Sequence, residues 1–406
     1  MYPDENMIAT SAADESSAHG GSIMYQHMRA DICKGESRAL STLLPFVEVR
    51  SADLRSWIAH PTEGGKELRR LLSTHGLVVF KSADLSPRDE VQLAELSGYH
   101  KPFDDKKKGI PGGWNAENSG IATLPDAPEV LCQGNVLLEE YHGIASQQLQ
   151  LLLTFDSEGF HSDGTHNMQT DLPITTQMYC MKAPHAGGET FFTCSRLAFS
   201  QLDAAMQDLC RRISVHYAYD EEAGDAIMRD GIVREGRLPS APRGAGTDKR
   251  ARGASHTVHP LVRTHPETGE ESLYLSCANI ERMEAPADEH CGSPAVYLDT
   301  VASYELVESL LDHVKKPQYV YAHKWTVGDL AIWDNRLLLH APARAETCVG
   351  ERLHHRVRLD GNTSANADLI EHALRRDLAS AHTLSHHYKF DEVRYAPARA
   401  CRVNLI

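Results

Sequence analysis

Nowhere does this 406-residue chain carry an apolar run that approaches membrane-spanning length, for which roughly 18 consecutive apolar residues are needed. Its opening stretch, Met-Tyr-Pro-Asp-Glu-Asn, is acidic and lacks the basic flank and apolar segment of a secretory leader. Closely spaced cysteines are missing too. The nine cysteines (33, 132, 180, 194, 210, 277, 291, 348 and 401) are scattered with no Cys-x-x-Cys pair, which argues for reduced thiols and against a disulfide framework or a zinc ribbon. Positive charge is in short supply: 41 Lys and Arg face 56 Asp and Glu, a formal net charge of −15. Such a surface repels phosphate backbones, so nucleic acid is not an expected partner. These absences point to a soluble, cytoplasmic protein with no membrane partner, acting on a small molecule; a homo-oligomer is left open. A hydrophobic share of 41% is ample for one large core or two modest ones.

What is present organises itself after residue 45. Residues 1–45 mix Ser, Gly, Ala and acidic residues without periodicity and read as a loosely ordered extension. Residues 66–75 place Leu68, Leu71 and Leu72 at helical spacing, with Gly76 as the residue that ends the helix. Leu77-Val78-Val79-Phe80 reads as a buried strand. Ser86-Pro87 supplies an N-cap and a first-turn proline for another helix. The charged, glycine-rich stretch 101–118 reads as a solvated loop. Strands are expected at 174–181, at 189–193 after a Gly187-Gly188 turn, and at 215–219, 272–275 and 330–333, with a helix over 195–212. Many short strands with few helices predict a mainly β protein, a sandwich or jelly roll with flanking helices. Residues 242–255, rich in Gly, Arg and Ala, resemble a flexible insertion, and a helix is expected at 368–379 before a histidine-rich tail.

Two clusters carry candidate chemistry. His161-Ser162-Asp163 is the chain's only His-x-Asp; on extended backbone its imidazole and carboxylate face the same way. The second cluster runs Trp333-Asp334-Asn335-Arg336 to His340, then 351–359. Read as a strand, 351–359 puts Leu353, Val357 and Leu359 on a face beneath helices and Arg352, His354, Arg356 and Arg358 on the other. Cations flanked by core strands need an anion to meet, and a small dianionic ligand is the simplest. Two histidines and one carboxylate form the facial triad of non-heme iron oxygenases. A 2-oxo acid would fill two of the open positions, and its far carboxylate suits a bidentate arginine. Ligand set and anion clamp then explain each other.

Five segments sharpen this into a resemblance: 74–80 (THGLVVF), 160–165 (FHSDGT), 186–190 (AGGET), 259–269 (HPLVRTHPETG) and Trp333-Asp334-Asn335-Arg336 before His340. In this order they are similar to the TauD/TfdA family of Fe(II)- and 2-oxoglutarate-dependent dioxygenases, over about 46–361. The resemblance implies a double-stranded β-helix (cupin-like jelly roll), iron held by His161, Asp163 and His340, and 2-oxoglutarate bound by Thr190, Arg352 and Arg356, with Arg356 near both the C1 carboxylate and the substrate. It also implies Fe(II), 2-oxoglutarate and O2 as cofactor and cosubstrates, with succinate and CO2 as products alongside oxidation of an unactivated C–H bond by hydroxylation, desaturation or cyclisation. Halogenating relatives carry a small residue where Asp163 stands, so halogenation is disfavoured. The region where sulfonate- or aryloxyacetate-using relatives bind substrate is not recognisable, and Gln133 to Gly143 occupy it instead. A small anionic or amino-acid-like substrate is expected. The implied organisation is an extension over 1–45, a dioxygenase domain over 46–362 with 220–257 as a lid, and an extension over 363–406.

Blander readings stand beside these. Thr190 would serve simply as a β-former, the paired glycines as a turn, Trp333 and Asp334 as core and turn, and Arg358 as a rim ion pair. His166, His354 and His355 are read as supporting residues, not ligands. A zinc hydrolase on the same donor set, or a catalytically idle jelly-roll binding protein, would also use the fold.

Overall fold

Alternation within the shortest apolar runs decides the layering. In the strand Leu77–Phe80, Leu77 and Val79 join one buried cluster while Val78 and Phe80 join another on the opposite face, as a period of two requires. The computed structural model describes residues 35–97, 122–144, 159–165, 172–219, 255–276, 280–288 and 292–360. The loop expected at 101–118, most of the insertion at 242–255, lid residues 220–254, His166 and everything after 360 lie outside the described residues.

An eight-stranded sheet runs in the order Glu36–Ala39, Val47–Arg50, Leu77–Phe80, Leu330–Asp334, Pro173–Lys182, Leu353–Asp360, Ala127–Gly134, Ala122–Leu124. All its pairings are antiparallel except Val47–Arg50 with Leu77–Phe80. A three-stranded sheet, Val320–His323, Thr190–Thr193, Leu339–Pro342, faces it. Between the two lies a core of Leu77, Val79, Met178, Cys180, Ala331 and Trp333 against Phe192, Cys194 and Leu338. This is a mainly β, double-stranded β-helix of the jelly-roll type with helices on its outer faces. The helices Leu54–Ala59, Pro61–His75 and Pro87–Glu95 cover the far face of the large sheet. The helix Thr300–Val314 packs against a further sheet that includes Ser214–Tyr219 and Ile280–Ala285. No helix among the described residues is long and apolar enough to cross a membrane.

Local chemistry explains the boundaries. Ser86 closes a capping box: its hydroxyl accepts from the Asp89 N–H while the Asp89 carboxylate accepts from the Ser86 N–H. Gly76 ends its helix with φ of 73°, a conformation that costs an L side chain energy. The helix expected over 195–212 is two, Ser195–Ser200 and Ala204–Arg212. Asp203 starts the second by accepting from the Met206 N–H at 2.8 Å, a side chain that competes with helix continuation from within. Glu36–Ala39, inside the stretch expected to be loosely ordered, pairs with Val47–Arg50. At the other expected margin, 255–257 open the strand Ser255–Pro260.

Asp334 does more than turn the chain. It is 1% exposed, accepts from the Arg336 guanidinium at 2.6 Å and lies 3.3 Å from His265 Nε2. Burial would raise its carboxyl pKa; Arg336 and then His265 override that and hold it well below the usual range. Its folded value lies below its unfolded one, so its stabilisation is full at neutral pH and is lost as pH falls below about 4. Asp334→Asn removes the charge facing a buried guanidinium and is expected to cost about 3–5 kcal/mol in urea denaturation at pH 7, with a smaller deficit at acid pH. A loss below about 1 kcal/mol would show the pair to be no stronger than a surface one.

Candidate active site

His161 and His340 meet through the backbone before they meet through their side chains. Each N–H donates to the other's carbonyl, at 3.1 and 3.0 Å, an isolated antiparallel bridge that brings two segments distant in sequence side by side. The rings lie 4.5 Å apart between centroids. The His161 Nδ1 sits 2.9 Å from the Gly159 carbonyl; a carbonyl only accepts, so Nδ1 is the donor of this contact and Nε2 is the ring nitrogen left to ligate. His340 is buried, and burial first of all pushes its pKa down to about 3 despite the opposing pull of Asp163. It is therefore neutral, with a lone pair to offer.

Asp163 completes the group. Its Oδ1 is 3.8 Å from both the His161 and the His340 Nε2, and the three donor atoms lie within 4.8 Å of one another. The other oxygen, Oδ2, is taken: Thr176 Oγ1 donates to it at 2.7 Å and Arg356 Nη2 at 2.5 Å. One carboxylate oxygen is tied down and one is turned toward the imidazoles. Burial alone would raise the Asp163 pKa; Arg356, then His340 and His161, hold it well below the ordinary carboxylate range. The three residues could hold a divalent cation on one face and leave the opposite face to other ligands.

Thr176 is itself steered. Asn335 Nδ2 donates to its Oγ1 at 3.0 Å, and Trp333 Nε1 donates to Asn335 Oδ1 at 3.0 Å. A chain of hydrogen bonds thus runs from Trp333 through Asn335 and Thr176 to Asp163. These residues were not singled out as site residues from the sequence. The available signal was a polar triplet, Thr175-Thr176-Gln177, fully buried in a core strand, where each polar atom needs a partner.

The remaining candidates fall on or beside the Leu353–Asp360 strand. Arg352 just precedes it and is buried. Burial lowers its pKa, and the neighbours that act against this are the thiols of Cys348 and Cys180, not carboxylates. Its Nε has no hydrogen-bond partner, and no ion pair of its side chain exists among the described residues. Asn135 brackets its backbone: Asn135 Oδ1 accepts from the Arg352 N–H at 2.7 Å and the Asn135 N–H donates to the Arg352 carbonyl at 3.0 Å. Thr190 is buried, and its hydroxyl accepts from Trp325 Nε1 at 3.1 Å. Trp325 packs edge-on to His354 at 4.4 Å. His354 is fully buried, is kept neutral chiefly by that burial, and has no hydrogen-bond partner at either ring nitrogen. Gly187 and Gly188 both have positive φ, and a Cβ on Gly187 would strike the Thr347 carbonyl, so this turn needs glycine. Arg358 contributes to the positive field that holds Asp163 ionised. His355 points to the opposite face of the sheet, among residues beneath the Pro87–Glu95 helix.

Comparison with known proteins agrees with this fold. The family described as "Taurine catabolism dioxygenase TauD, TfdA family" matches residues 37–358. Pentalenolactone F synthase of Streptomyces arenae is 31% identical over 190 residues, 45% of this chain and 55% of that protein. The alpha-ketoglutarate-dependent 2,4-dichlorophenoxyacetate dioxygenase of Cupriavidus pinatubonensis is 24% identical over 301 residues, 73% of this chain and 88% of that one. Among solved structures, a taurine dioxygenase from Burkholderia xenovorans superimposes with a TM-score of 0.52 at 21% identity, covering 81% of this chain and 90% of that chain. With a match that extends over the whole jelly roll, the chain belongs to the TauD/TfdA family of alpha-ketoglutarate-dependent dioxygenases.

Proposed function

We propose that His161, Asp163 and His340 hold Fe(II), that Arg352 and Thr190 receive the distal carboxylate of 2-oxoglutarate, and that the chain oxidises an unactivated C–H bond of a small organic acid or amino-acid-like substrate. For hydroxylation the balance is one O2 and one 2-oxoglutarate consumed, with one oxygen atom delivered to substrate and the other to succinate as CO2 leaves. Bound iron supplies the activation of O2; the protein supplies placement and exclusion of water.

The observation that carries the reading is Arg352, a buried guanidinium with no carboxylate partner among the described residues. A buried cation left so is costly unless an anion arrives with the ligand. The fit to iron rests on the donor set and on Asp163, whose Oδ2 is occupied by Thr176 and Arg356. That leaves Oδ1 as the oxygen that Asp163 would offer to a metal. Arg356, with one nitrogen on Asp163 and its Nε without a partner, is suited to the C1 carboxylate or to an acidic group on the substrate.

Succinate formation by Fe(II)-loaded protein given 2-oxoglutarate, O2 and a panel of aryloxy acids, sulfonates and amino acids tests the whole reading. Iron-dependent succinate that rises with one compound supports it; none, together with metal-dependent hydrolysis, would replace it with a hydrolase. Arg352→Ala is expected to raise the 2-oxoglutarate KM by at least roughly tenfold, since a truncated buried charge pair costs about 2–5 kcal/mol; an unchanged KM would refute the assignment. Asp163→Ala is expected to abolish iron-dependent succinate, and retained turnover would remove it from the ligand set. Thr176→Val keeps the shape but drops the hydroxyl that holds Oδ2. Its Fe(II) requirement is expected to shift up by about 10–100-fold, read from activity against iron concentration at saturating 2-oxoglutarate.

A further inference from the structure

The Leu353–Asp360 strand presents chemistry on both of its faces. Arg356 faces Asp163, while His355, one residue earlier, faces away into a second cluster of potential ligands. Cys132, on the neighbouring strand Ala127–Gly134, lies directly opposite His355 in the sheet register. Side chains in such cross-strand pairs share a face and lie close together. His142, the last residue of the short helix Leu138–His142, leans over both. The Nε2 atoms of His142 and His355 are 3.0 Å apart, and the Cys132 Sγ and both ring nitrogens fall within 4.8 Å of one another.

Behind this group stands a carboxylate. Glu90, on the Pro87–Glu95 helix, is 1% exposed, and its Oε1 is 2.7 Å from the His355 Nδ1. That contact makes Nδ1 the protonated nitrogen and turns the His355 Nε2 lone pair toward His142 and Cys132. A carboxylate that orients a histidine whose other nitrogen is free to ligate is the arrangement found behind metal sites. The second Glu90 oxygen has no hydrogen-bond partner. Apolar residues close the rest: Val91, Ala94, Val130 and Leu353 share the cluster with Cys132.

We propose that Cys132, His142 and His355 form a second metal site, distinct from the His161–Asp163–His340 centre, that takes a zinc-class divalent cation with Glu90 as the carboxylate behind His355. Donor type selects the class: one thiolate and two imidazoles suit a borderline-soft ion and not magnesium or calcium. Tetrahedral bond lengths would set the three donors about 3.3–3.6 Å apart, so small side-chain shifts close the shell. The fourth position falls to water from the side of half-buried His142. On binding, the thiol proton leaves to solvent as the S–metal bond forms, and a dication balances the resulting thiolate and the nearby carboxylate together. The ion would fasten the short helix to the back of the strand that carries Arg352 and Arg356.

The test is a Co(II) titration of the reduced full-length protein under anaerobic conditions. The His161–Asp163–His340 set contains no sulfur, so a near-ultraviolet thiolate-to-cobalt charge-transfer band reports only a cysteine site. A band that saturates by about two equivalents in the wild type (one for each centre), vanishes in Cys132→Ser and appears only at Co(II) concentrations at least tenfold higher in His142→Ala supports the site. Glu90→Gln is expected to weaken it by about 10–100-fold. His142 is only half-buried, on a short outer helix, so His142→Ala keeps the test decisive if Cys132→Ser fails to fold. No band in the wild type, or a band unchanged in the variants, overturns the proposal. Iron-dependent succinate at the first centre is read separately on the same wild-type protein, so failure of that reaction and failure of this site are distinguishable results.

Discussion

One buried carboxylate organises the candidate site. Asp163 is drawn from one side by two imidazoles and from the other by Arg356 and Thr176. The partners come from the His161 bridge, the Pro173–Lys182 strand, the Leu339–Pro342 strand and the Leu353–Asp360 strand. Four separate parts of the chain therefore converge on two oxygen atoms. Desolvation of that carboxylate is expensive; the cations around it offset the cost and fix its orientation. The two sheets have to face each other at the right separation for this to happen, and Trp333 of the large sheet, packed against both Phe192 and His340 of the small one, helps set that separation.

Much of this was legible in sequence because it rested on local rules. The Leu77–Phe80 strand, the capping box at Ser86, the glycine turn before Thr190 and the alternating face of Arg352, His354 and Arg356 each follow from a few adjacent residues. Motif order supplied the family, which the comparison over 37–358 bears out. Long-range partnerships were not legible. That Asn335 and Thr176, far apart in sequence, join to steer Asp163 depends on the pairing of Leu330–Asp334 with Pro173–Lys182, which no local pattern encodes. Asp334 was read as a turn because one of its partners, His265, becomes its neighbour only when 265 is folded against the strand end, although the other, Arg336, is two residues away. The break at Gln201–Asp203 was hidden by a hydrophobic periodicity that continues across it.

Of the two faces of the Leu353–Asp360 strand, the sequence reading assigned chemistry to one and packing to the other. Leu353, Val357 and Leu359 do pack beneath the Pro87–Glu95 helix. His355 on that same face breaks the apolar pattern and finds Glu90, His142 and Cys132. A buried histidine in an apolar row is the kind of local conflict that marks a site with a purpose beyond packing.

The pairing of this strand with Pro173–Lys182 contains a register irregularity: Leu353 opposes Lys182 while His354 already opposes Cys180. Met181 is the extra residue, so the irregularity sits on the neighbouring strand and the alternation from Leu353 to Leu359 is undisturbed. Gain or loss of one residue within the strand itself would have a very different result, because each side chain beyond it would exchange faces. Arg356 would be turned toward Glu90, and a neighbour toward Asp163. Substitutions within this stretch leave its two faces in place, whereas a change in its length would not.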